Sequence, residues 1–361
     1  MEKKKIIYWE NIDYGNTAKI LFAIAGSLIL LILLFFLPNI VVNDKIVSNN
    51  YSHSGEIGDT IGGILGPTIG FFAAILTFLA FYIQYQANKE QRIQFEKQAN
   101  DVLIERFENR FFEMIRLHRA NVDELNIQDI VKGRKVFTPL YFELRYIYFK
   151  LEKNHLLYPP AIQCSKATLT NLAYLIFFFG IGHTTDSVFK HIASDVEKEV
   201  FFNKTISQLK IIKEQFNTKT NNKDLIEENG TSKSIFKQIY EPFTGHGSKI
   251  GHYYRHIYQT IKYVSKQTNP LFTPKLKYSY VKILRAQLSN IEQVLFYYNS
   301  VSTLGYSWIK KGYLKDYKMI INLPLSFADF GITPKEMFKQ ESEQDKTFFD
   351  WDNFKDAIIM K

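Results

Sequence analysis

The densest run of side chains able to do chemistry is Gly245-His246-Gly247-Ser248-Lys249-Ile250-Gly251-His252-Tyr253-Tyr254-Arg255-His256-Ile257-Tyr258, a glycine-rich loop feeding a helix. Such a start exposes amide donors and the positive end of the helix dipole, which makes Gly247, Lys249, Gly251 and Arg255 candidate phosphate or ligand contacts. The Gly-Lys-Ser/Thr order of a Walker loop is absent and no clear strand precedes the segment. His252 and His256 stand four residues apart, the spacing of two zinc ligands on one helix face. No glutamate follows His252, so the zinc-protease motif is missing and neither a metal nor another cofactor is expected. Together with Arg255, the two histidines form a candidate catalytic trio for acid-base chemistry on RNA, where imidazole moves protons and guanidinium stabilises phosphate charge. The plainer reading of the same residues is a structural turn followed by an aromatic-lined helix.

A second polar set comprises Glu108 and Asn109, then Arg285, Glu292, Tyr298 and Asn299, with Ser289 and Gly305 nearby. At helical spacing Arg285, Ser289 and Glu292 fall on neighbouring faces, and the set reads as a buried polar network linking helices. No Gly-x-Ser-x-Gly elbow is present. The single cysteine, Cys164, excludes an intramolecular disulfide scaffold and any multi-cysteine zinc site, in keeping with a reducing compartment.

The elements that must position these residues begin with two uncharged stretches. Between Lys19 and Asp44 the centre, Ile20 to Leu37, is long and apolar enough for a membrane helix; a second stretch runs from Thr60 to Asn88. No small-residue cleavage site follows Leu37, which argues against a removed signal peptide. Lys3, Lys4, Lys5 and Lys19 precede the first stretch and Lys89, Arg92 and Lys97 follow the second, whereas the loop from Pro38 to Asp59 holds only Lys45. The positive-inside rule therefore places both termini in the cytoplasm. Gly58, Gly62, Gly66 and Gly70, continued by Ala74, recur in steps of four and form a flat stripe for close helix packing, either between the two spans or between copies of the chain. Pro67 removes one amide donor from this helix.

The expected organisation is all-α: a cytosolic segment 1–19, two transmembrane helices within 20–88, a long amphipathic connecting helix 89–130, a helical cytosolic domain 131–321 and a C-terminal segment 322–361. Within the domain, helices are expected over Pro139–Asn154, Ser165–Phe179, Asp186–Phe216, Gly251–Gln267 and Lys275–Ser302, and a polar stretch at 217–234 reads as a mobile insertion. With 45 Lys and Arg against 36 Asp and Glu the chain carries +9, and residues 89–361 alone carry +10. That excess suits nucleic acid, or equally a surface beside an anionic membrane.

The glycine-patterned second span, Arg106-Phe107-Glu108-Asn109-Arg110-Phe111-Phe112, the segment Gly251 to Tyr258, and Leu295-Phe296-Tyr297-Tyr298-Asn299 with Gly305 together resemble the AbiC-like phage abortive infection proteins, a bacterial membrane family. The resemblance spans about Gly58 to Tyr306. It implies a defence effector of the bacterial inner membrane that halts or kills an infected cell, with the lipid bilayer, further copies of the chain and a phage-derived or defence-system trigger as partners. It carries over no catalytic set, and the arginine-to-histidine spacing of common helical ribonucleases is missing. The expected function is sensing of infection by the cytosolic domain followed by membrane disturbance or growth arrest. The alternative is a membrane-tethered nuclease or nucleotide-binding enzyme centred on His252, Arg255 and His256.

Overall fold

The computed structural model describes residues 24–29, 32, 51–160, 164–182, 196–216, 224–229, 232–237, 239–346 and 348–349. The cytosolic segment 1–19, most of the first expected span and residues 38–50 of its following loop lie outside the described residues, whereas Tyr51 to Asp59, expected as loop, already belong to a helix. Two compact units divide the chain at Leu103/Ile104.

The first unit is dominated by helix α1, Tyr51–Asp123, which continues into the second. Its part from Gly66 onward contains the one stretch, among the described residues, long and apolar enough to cross a membrane. Ile69, Phe71, Phe78 and Phe81 are exposed there, as expected of side chains that face lipid rather than a protein core. Pro67 sits inside the helix, and a Cβ built on Gly62, Gly66 or Gly70 meets no atom within 4 Å. Ala74, next in the row, is exposed. Gly58 lies in the same helix, without described surroundings.

In the second unit α1 becomes a core helix. Phe107, Phe111, Ile115, His118 and Val122 are buried at spacings of three and four, one face of a 3.6-residue period. The helix ends at Asp123, earlier than the expected boundary at 130, because the chain turns into a short ribbon, β1 (Asn126–Ile127) against β2 (Val131–Lys132). Gln128 and Asp129 take positive φ in that turn, and Asn126 clasps Asp129 through both its amide and its carbonyl oxygen.

A 3₁₀ turn, Gly133–Val136, leads into α2 (Phe137–His155), which packs against α3 (Lys166–Phe179), α4 (Val196–Phe216), a β-hairpin and the later helix Asn290–Val301. Its burial on nearly all sides follows from its composition, with Leu140, Leu144, Ile147 and Leu151 between tyrosines and phenylalanines. α3 is a continuous apolar run opened by Ser165, whose hydroxyl accepts from the Thr168 amide.

A β-hairpin falls partly within the polar stretch. The stretch read as a mobile insertion, 217–234, contributes β3 (Asp224–Asn229), paired antiparallel with β4 (Ser232–Lys237) from Asp224 opposite Lys237 to Asn229 opposite Ser232. Gly230-Thr231, two residues with glycine first between runs carrying Leu225, Ile226, Ile235 and Phe236, is a hairpin signal that overall polarity conceals. The fold is mostly helical with two small two-stranded ribbons, consistent with the all-α expectation.

The chain continues through α5 (Gly247–Ser265), α6 (Pro274–Arg285) and α7 (Asn290–Val301). The single helix expected over Lys275–Ser302 is two, because Ser289 is not a helix-interior residue. It caps α7, accepting from the Glu292 amide while the Glu292 carboxylate accepts from the Ser289 amide at 2.7 Å. Short helices α8 (Ser307–Lys310), α9 (Tyr313–Asp316), α10 (Pro334–Met337) and α11 (Lys339–Gln344) close the unit. The C-terminal segment enters the core through Phe330, which stacks on Tyr298 at 4.3 Å, while Tyr297 and Tyr298 donate to the Ile332 and Phe330 carbonyls.

Candidate functional site

The glycine-rich loop is shaped by close backbone contact. Gly245, at φ +84°, lies so near the end of α3 that an added Cβ would sit 2.6 Å from the Phe179 carbonyl, and Gly180, at φ +78°, meets Thr244 in the same way. A Cβ on Gly247 would press into the Phe178 ring. The His246 amide donates to the Phe177 and Phe178 carbonyls, and the Ile181 amide donates to Phe243. These glycines thus let α3 and the start of α5 touch backbone to backbone, which accounts for them without a ligand.

A buried carboxylate fixes the same junction. Glu143, on α2, accepts from the Tyr240 hydroxyl at 2.5 Å and from the Phe243 amide at 3.0 Å. His246 Nε2 lies 3.1 Å from the same carboxylate without hydrogen-bond alignment. Burial, with the carboxylate beside it, pushes the Tyr240 phenol well up, so it remains a donor. Neither Glu143 nor Tyr240 belongs to the sequence-derived candidates. Both look like ordinary members of an aromatic helix and a loop, and only the fold brings them together.

Along α5, Ile250, Tyr253, Tyr254, Ile257, Ile261 and Val264 are buried. The candidate trio divides. His252 and Arg255 are exposed, with Arg255 Nη2 3.2 Å from His252 Nδ1 and Arg255 Nε donating to the Gly251 carbonyl. His256 turns inward, and its Nε2 lies 2.7 Å from the Met114 carbonyl of α1. His118, missed by the sequence reading, lies beside it with ring centroids 6.2 Å apart, fully buried and with neither nitrogen hydrogen-bonded. Burial, His256, Arg134 and Arg119 push His118 down to about 4, so it is neutral at physiological pH.

Of the phosphate candidates, Lys249 lines a cleft of 370 Å³ together with Asn121, Glu124, Ser248, His252 and neighbours; Gly247 and Gly251 face Phe178 instead. Among the described residues no group of three His, Cys, Asp or Glu side chains is arranged to hold a metal ion.

The second polar set is not one network. Glu108 accepts from the Tyr280 hydroxyl at 2.5 Å, while its neighbour Asn109 is exposed. Arg285 donates to the Tyr317 and Lys318 carbonyls. Glu292 accepts from Tyr253 and lies 3.4 Å from Arg134 Nε. Asn299 donates to Tyr174, and its backbone is approached so closely by Gly305 that a side chain there has no room. Each group ties a different pair of elements.

Residues 245–328 match the model of a family described as "Putative phage abortive infection protein". The match opens at the glycine turn and runs through α5, α6 and α7 to Ala328, so it bears out the family resemblance over these residues, while the motif at 106–112 and the glycine-patterned helix lie outside it. Neither the curated proteins nor the solved structures contain a match.

Proposed function

We propose that the protein is an abortive-infection effector anchored in the bacterial inner membrane, in which the second unit responds to infection and α1 transmits that response to the membrane segment. One observation carries the reading: α1 runs unbroken from the apolar, glycine-patterned stretch into the aromatic core of the second unit, where Phe107 and Phe111 pack against Tyr280 and, through Phe107, against Tyr263 and Phe272. A change in how α5 and α6 grip that end acts on the same helix that carries the apolar stretch. The glycine row leaves one face of the helix flat, suited to a second copy of the chain.

The test is phage challenge of cells with and without the gene, scored for survival of the culture and with a membrane-potential dye. Protection accompanied by depolarisation in infected cells supports the reading; protection with an undisturbed potential refutes membrane disturbance. The nuclease alternative loses its most suggestive pair, since His256 bonds a helix carbonyl while His252 and Arg255 lie outside.

A further inference from the structure

The end of α1 and the first turns of α5 enclose the 370 Å³ cleft, a volume within the usual range of small-molecule sites. Its two walls differ in chemistry. The α5 wall is lined by Lys249, Ser248 and His252; the opposite wall is lined by Asn121, in the last turn of α1, and Glu124, just beyond its end. Asn126 is engaged with Asp129 and Tyr253 with Glu292, and both shape the cleft; His252 meets Arg255 through Nδ1, which leaves its Nε2 for a ligand.

Lys249 and Glu124 face one cavity, yet neither has an ion-pair partner among the described residues. Opposite charges that line a cleft without meeting leave room for a molecule that answers both. On the α5 side, an ammonium, a hydroxyl and an imidazole offer three donor groups to one anion, a set suited to the several oxygens of a phosphate. On the α1 side, a carboxylate and an amide oxygen accept from N–H groups.

We propose that this cleft binds a mononucleotide whose base carries an amino group, with its phosphate held by Lys249, Ser248 and His252 and its N–H donors by Glu124 and Asn121. Because α1 forms one wall, occupancy bears on the helix that the effector reading makes the transmitter, and a triggering role for the ligand rests on that reading. Binding itself does not.

The experiment uses the full chain in detergent micelles and reads binding by calorimetry and by the shift in Tm. The probes are 5′-AMP and 5′-CMP, with 5′-UMP and inorganic phosphate as comparisons. AMP and CMP are expected to bind and raise Tm, phosphate alone far more weakly. Lys249→Gln should weaken every phosphorylated probe by about tenfold or more, the loss of a charged hydrogen bond, while Lys249→Arg retains binding. Glu124→Gln should weaken AMP and CMP but leave UMP little changed. Both positions lie on the cleft surface, and an unliganded Tm equal to that of the wild type establishes that the variants fold. Absence of binding by AMP and CMP, equal binding of inorganic phosphate, or affinity unchanged in both Lys249→Gln and Glu124→Gln overturns the proposal. None of these readouts involves phage or membrane potential, so a failure here leaves the effector reading standing, and the reverse holds too.

Discussion

Burying His118 with no partner for either ring nitrogen makes its charged form costly, and the neighbouring His256, Arg134 and Arg119 add to the cost. Its pKa falls from the ordinary 6.5 to about 4, so between those values the unfolded chain binds the extra proton and the folded one does not. Stability from this residue is therefore complete above about pH 6.5 and lost as pH falls toward 4, by up to roughly 3 kcal/mol. Thermal melts of the full chain across that window should show a steeper decline than those of His118→Phe; parallel curves would remove His118 as the cause. Gly245→Ala should cost about 2–4 kcal/mol of folding stability, because both its φ and the Phe179 carbonyl oppose a side chain. Chemical denaturation checks it. The sequence displays the histidine spacing at 252 and 256 and the glycines of the turn, but not their directions. Whether an imidazole four residues along a helix faces solvent or a neighbour depends on where α1 lies, and His118, Glu143 and Tyr240 become neighbours only through contacts distant along the chain.

At the scale of elements, hydrophobic period and caps carry most of what the sequence discloses. α2, α3 and α5 stand within a few residues of their expected spans, because their apolar positions recur every three or four residues and capping residues such as Ser165 are explicit. The errors have local causes. Ser289-x-x-Glu292 is a capping box embedded in a run that otherwise reads as helix, and the hairpin at Asp224–Lys237 is masked by its polar composition. Ser289→Ala should accordingly cost about 1 kcal/mol, read as a lower denaturation midpoint with unchanged slope. For the glycine row, Gly62→Leu and Gly66→Leu are expected to weaken self-association of the full chain, since a leucine holds a second helix away. Crosslinking in micelles measures this; variants that fold normally and crosslink as the wild type does would assign the stripe to packing within one chain.

For the whole molecule the proposed effector role turns on which unit would act. α1 is shared by both, and its glycine-patterned part and its core part can be altered separately. If the protein acts on the bilayer, Gly66→Leu should abolish phage protection and depolarisation together while leaving the fold of the second unit, read by circular dichroism, unchanged. His252→Ala, at an exposed position, should leave both intact unless the nucleotide cleft is the trigger site, in which case protection and depolarisation again fall together and nucleotide affinity falls with them. A nuclease predicts another pattern: purified full-length protein cleaves RNA or DNA, Arg255→Ala or His256→Ala lowers that rate by roughly a hundredfold or more, and replacing the apolar segment of α1 with an unrelated membrane anchor leaves protection whole. The last substitution separates the two mechanisms most sharply. An effector that works through the span cannot survive exchange of the glycine row for a sequence that only anchors, whereas a tethered enzyme needs the membrane segment as an attachment and nothing more. Cleavage by the purified protein, together with protection that persists after the exchange, would replace the membrane mechanism with the enzymatic one.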